Sequence, residues 1–73
     1  MRIGLLFKRA LYRELRSSVG YYDARRIVRA IEEGSGELAD LGGLAAMLNG
    51  RGLDRRQVQL AVEAAERNSF LLQ

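Results

Sequence analysis

The stretch Leu53-Asp54-Arg55-Arg56-Gln57-Val58-Gln59-Leu60-Ala61-Val62 spells out the start of a helix. Asp54 stands where an N-cap belongs, its carboxylate able to accept a backbone N–H that the first turn leaves unpaired. Gln57, three residues on, completes the pattern of a capping box by reaching back to the cap. Leu53 and Val58 occupy the two positions of a hydrophobic staple. Helical spacing then continues through Ala61, Val62, Ala65 and Ser69, with Leu60 and Ala64 widening the stripe, so a helix is expected from Asp54 to about Ser69.

Three further helical segments lie upstream. Between about Glu37 and Asn49, Leu38, Leu41, Ala45 and Leu48 repeat on one face, with Leu44 beside them. Gly42-Gly43 inside it costs about 1 kcal/mol per glycine relative to alanine. Either Asp40 starts a shorter helix or the helix runs through, and the continuous helix is the favoured expectation. From about Tyr22 to Glu33, Ala24, Ile27, Val28 and Ile31 form a stripe, and Gly34 is expected to stop the helix in the left-handed conformation. From about Ile3 to Ser17, Ile3, Leu6, Phe7, Ala10, Leu11 and Leu15 follow the same rhythm. Ser17-Ser18-Val19-Gly20 then reads as the break, with Gly20 free to take a positive φ. With no proline and no alternating strand run, the chain reads as all-α: one domain over residues 1–73, a small bundle of four short helices.

Composition narrows the function. The 73 residues contain no cysteine and no histidine, which removes disulfides, thiolate metal sites and the commonest general base. A non-enzyme without cofactor, metal or small-molecule substrate is the expectation. The apolar start Ile3 to Phe7 is shorter than the roughly 7–15 residues of a secretory core, and no run approaches the ~20 residues of a membrane span. A cytoplasmic protein with no membrane partner is expected.

Charge is segregated. Residues 1–29 carry eight basic and two acidic groups, residues 30–50 four acidic and none basic, and residues 51–73 four basic and three acidic, for a net charge of +3. All the cations but one are arginine, the residue that grips phosphate or carboxylate through two parallel hydrogen bonds. GC-rich coding produces the same excess. On the first segment, Lys8, Arg9, Arg13 and Arg16 fit an electrostatic surface or merely the solvated side of a core helix, with Glu14 placed to pair locally.

From about Leu41 to Val62 the order is apolar helix, Asn49-Gly50 turn, basic helix start. Ala45, Asn49 and Val58 fall where a DNA-binding helix-turn-helix carries its small residue, its turn residue and its apolar anchor, and the segment resembles one. The turn Asn49-Gly50-Arg51-Gly52-Leu53 is about three residues longer than the tight form. The resemblance implies a small DNA-binding regulator. Arg55, Arg56, Gln57 and Gln59 would read base edges, since arginine pairs with guanine and glutamine with adenine. Arg25, Arg26, Arg29 and Arg51 would hold phosphates. The alternative is a protein-binding helical module, an adaptor or inhibitor that holds a larger target through Tyr21, Tyr22, Phe70, Leu71 and Leu72. Small-residue faces (Gly42-Gly43 with Ala45-Ala46, and Ala61 with Ala64-Ala65) and the apolar tail suggest a homodimer.

Overall fold

The computed structural model describes residues 1–72, which form four helices and no strand. Helix α1 spans Leu5–Val19, α2 Tyr21–Gly34, α3 Leu44–Asn49 and α4 Arg55–Arg67, with short 3-10 turns at Ser35–Glu37, Leu41–Gly43 and Ser69–Leu71. The chain is a small all-α bundle, about 79% helical.

Helices α1 and α2 form a hairpin joined by one residue. Gly20 sits at φ +88°, ψ 175°, a conformation that a Cβ disfavours. Its N–H closes α1 on the Arg16 carbonyl at 3.0 Å, and its carbonyl opens α2 by accepting from Ala24 at 3.0 Å. Phe7, Leu11 and Leu15 face inward from α1 at four-residue intervals, and Ala24, Ile27, Ala30 and Ile31 answer from α2. The buried line on α1 is narrower than the sequence stripe. Leu6 lies about 100° around the helix from Phe7 and is left 67% exposed, while Ile3 and Ala10 are half-buried. Each fully buried large side chain contributes on the order of 1.5–3 kcal/mol.

The expected continuous third helix is broken. Leu38 and Ala39 leave helical geometry, Asp40 takes an extended conformation (φ −157°, ψ −174°), and its side chain accepts the Gly42 N–H at 2.8 Å. The shorter alternative therefore holds: Asp40 caps a 3-10 turn over Leu41–Gly43 that leads into six-residue α3. Two consecutive glycines remove the side chains that would otherwise hold this stretch in an α-helix, and a local cap offers its N–H groups another partner. Leu44 and Leu48 are fully buried, and Leu41 and Ala45 half-buried.

Gly34 also departs from expectation. It remains right-handed (φ −94°, ψ −10°), and its lack of a side chain serves packing instead. A Cβ there would stand 2.3 Å from Met47 Sδ, so α3 uses the space. The left-handed glycine after α3 is Gly52 (φ +83°) rather than Gly50 (φ −69°). It turns the chain so that Leu53 and Val58 are buried at the start of α4.

Helix α4 packs on α1 and α3. The capping box is complete: Asp54 Oδ1 accepts the Gln57 N–H at 2.8 Å and Gln57 Oε1 accepts the Asp54 N–H at 3.3 Å. Ala61, Ala64 and Ala65 are fully buried, whereas Val62 is half-buried and Ser69 exposed. Short alanine side chains at the centre of the contact let the helix axes approach closely. Glu14 pairs across the fold, accepting from Arg67 Nε at 2.9 Å and Asn68 Nδ2 at 3.4 Å, and so ties the end of α4 to α1. The 3-10 turn at Ser69–Leu71 packs on α1, with Leu71 and Leu72 half-buried against the core.

Candidate nucleic-acid interface

Because α1 and α2 are antiparallel neighbours, their outward faces flank one open groove of about 610 Å³. Helix α1 contributes Lys8, Arg9, Tyr12, Arg13 and Arg16, and α2 contributes Tyr21, Arg25, Val28, Arg29 and Glu32. Four-residue spacing stacks these groups in rows along each helix. Lys8 is paired with Glu32. Among the described residues no carboxylate lies within ion-pair distance of Arg9, Arg13, Arg16, Arg25 or Arg29, and all five are exposed.

The hairpin end of the groove is aromatic. Tyr12 and Tyr21 meet edge to face at 6.1 Å between ring centroids, and Tyr21 and Tyr22 do so at 5.1 Å. Tyr21 Oη accepts from the Arg25 guanidinium at 2.7 Å, and the same guanidinium lies 5.5 Å from the ring centroid. The hydrogen bond with Tyr21, and then that phenol's charge, raise the Arg25 pKa above its ordinary value. Arginine keeps its proton in proteins in any case. The groove is therefore a permanent cationic surface.

Of the residues the sequence assigns to phosphates, Arg25 and Arg29 line this groove. Arg26 points elsewhere and donates to Gln57 Oε1 at 3.1 Å. Arg51 is engaged by Glu33 at 3.6 Å and Glu37 at 3.5 Å, which pins the turn before α4 to the acidic end of α2. Of the base-reading set, Arg55, Arg56 and Gln59 are exposed on the first turns of α4. Gln57 is not presented to a ligand: it is 9% exposed, and its oxygen is taken by the cap and by Arg26.

Arg55 and Gln59 border a second cleft of about 490 Å³ between α3 and α4, together with Ala45, Asn49, Val58, Val62 and Glu63. Its charge is mixed. Gln59 Nε2 donates to Glu63 at 3.3 Å, so the row Arg55, Gln59, Glu63 ends in a carboxylate. The hairpin groove carries six cations against one anion. Of the partner-binding set, Tyr21 belongs to the groove, Tyr22 and Phe70 are 84% and 74% exposed, and Leu71 and Leu72 lie against the core.

Arg9, Arg13 and Arg16 fall outside the site set read from the sequence, although their spacing is visible there. Their opposition to Arg25 and Arg29 is not visible there, because only the tight turn at Gly20 creates it. No family model matches this chain, and neither does any curated protein or solved structure.

Proposed function

We propose that this chain is a nucleic-acid-binding module, not a catalyst, that holds phosphates in the arginine groove between α1 and α2. The single observation that carries the reading is the set of five exposed arginines around one groove, without a carboxylate partner among the described residues. Phosphate contacts of this kind fix position and dominate affinity. Guanidinium groups neither take up nor release protons at ordinary pH, which suits anchoring rather than acid–base chemistry.

The regulatory version of this reading places Arg55, Arg56 and Gln59 in a duplex major groove. It is supported by the exposed, well-capped start of α4. The two surfaces separate by mutation. Fluorescence anisotropy of labelled DNA at ~50 and ~200 mM salt tests binding where counterion release is steep. Arg13→Gln with Arg25→Gln and Arg29→Gln is expected to weaken binding and flatten the salt slope by roughly 0.7–0.9 for each phosphate no longer neutralised. Arg55→Gln with Arg56→Gln is expected to change affinity little. The reverse pattern moves the interface to α4, and no binding of DNA or RNA, single-stranded or duplex, at low salt refutes the function.

A protein-binding module, including a homodimer, is the second reading. It is favoured by Leu5, Leu6 and Phe70, which are 63%, 67% and 74% exposed. Sedimentation of the purified chain, alone and with Leu6→Ser, tests the homodimer directly.

A further inference from the structure

We infer that the groove takes single-stranded nucleic acid, with Tyr22 as the stacking platform for an unpaired base. This rests on the nucleic-acid reading above. Proteins that read a duplex push a convex element, a helix or a ribbon, into a groove about 12 Å wide. Here the arginines line a concavity between two helices, the shape that tracks one phosphodiester strand.

The aromatic cluster supplies what a duplex has no use for. Paired bases keep their faces stacked inside the helix, whereas a single strand offers them to aromatic rings. Tyr22 is 84% exposed and meets Tyr21 edge to face at 5.1 Å between ring centroids. A ring so open keeps a face accessible to solvent. Tyr21 lines the cationic groove and is bonded to Arg25. The stacking surface thus adjoins the end of the phosphate track. Each stacked base contributes affinity with little dependence on sequence, because every base has a π face.

The test is anisotropy with a labelled DNA strand of about twelve nucleotides, within the size range such grooves cover, beside its own duplex and the RNA strand of the same sequence. The single strand is expected to bind more tightly than the duplex. Whichever of the DNA or RNA strands binds more tightly names the source, and either supports the inference. Tyr22→Ala is expected to weaken single-strand binding by about 5- to 150-fold and leave duplex binding unchanged, while Tyr22→Phe retains wild-type affinity. The exposure of Tyr22 keeps these variants folded, which circular dichroism verifies. Duplex binding as tight as single-strand binding, or full affinity in Tyr22→Ala, overturns the single-strand inference and leaves nucleic-acid binding standing. Absence of binding to all three probes overturns both.

Discussion

Gln57→Ala separates a structural role from a ligand-reading one. The side chain accepts from the Asp54 N–H and from Arg26, and it is 9% exposed. Losing the reciprocal half of the capping box removes one net hydrogen bond, about 0.5–1.5 kcal/mol. The Arg26 bond is charge-assisted but only partly buried, so water replaces much of it and about 0.5–1 kcal/mol is lost. Removing buried methylene surface costs roughly another 0.8 kcal/mol. Alanine returns about 1 kcal/mol through better helix propensity and less side-chain entropy to lose. The net expectation is a destabilisation of about 1–2 kcal/mol. A domain of this size has about 4–11 kcal/mol in total, and the midpoint of thermal unfolding should fall by roughly 5–15 °C. Circular dichroism melts and urea titrations measure this. Nucleic-acid affinity below the transition should stay at the wild-type value. The double variant with Asp54→Ala should cost less than the sum of the single variants, because each half of the box supports the other. Unchanged stability combined with a tenfold loss of affinity would refute the reasoning and show that Gln57 faces the ligand.

Three further outcomes are expected. Gly34→Ala should destabilise the fold by about 1–2 kcal/mol, because its Cβ displaces the Met47 side chain; in a Met47→Ala background the same substitution should become neutral or stabilising in urea titrations. Gly20→Ala should cost about 1–3 kcal/mol from its positive φ alone, since nothing stands within 4 Å of the added carbon; Gly36→Ala, equally unobstructed and not at a positive φ, should cost almost nothing in the same assay. Affinity for nucleic acid should be level from about pH 6 to about pH 8, because the chain has no histidine to change charge there; the Tyr21 bond raises the Arg25 pKa, moving it further from that window, so a titration step in anisotropy would argue against an arginine site.

How much of this protein was legible depends on how far apart the interacting groups lie in the chain. The capping box of α4 involves residues three apart, so Asp54 and Gln57 could be read directly, as could the positive φ of Gly20, although the expected break spans Ser17 to Gly20 and α1 instead continues to Val19, leaving a one-residue turn. Helical spacing likewise located the apolar lines through Leu11 and Ile27, because an amphipathic helix repeats its buried face every three or four residues. The break at Asp40 was harder. Local capping there competed with an apolar repeat that suited a longer helix, and Gly42-Gly43 tipped the balance toward the cap.

By itself, then, the sequence determined an all-α chain, the capped start of α4, the segregation of its charge and the excess of arginine. Tertiary structure decided which of those arginines face one another. Gln57, already held by its own cap on the Asp54 N–H, also accepts from Arg26, distant in the chain. Arg51 is held by Glu33 and Glu37. Arg13 and Arg16 joined Arg25 and Arg29 because α2 folds back along α1. The reason is physical: periodicity and capping act between near neighbours in the chain, whereas the rotation of one helix against another is set by the packing of all four around a shared core.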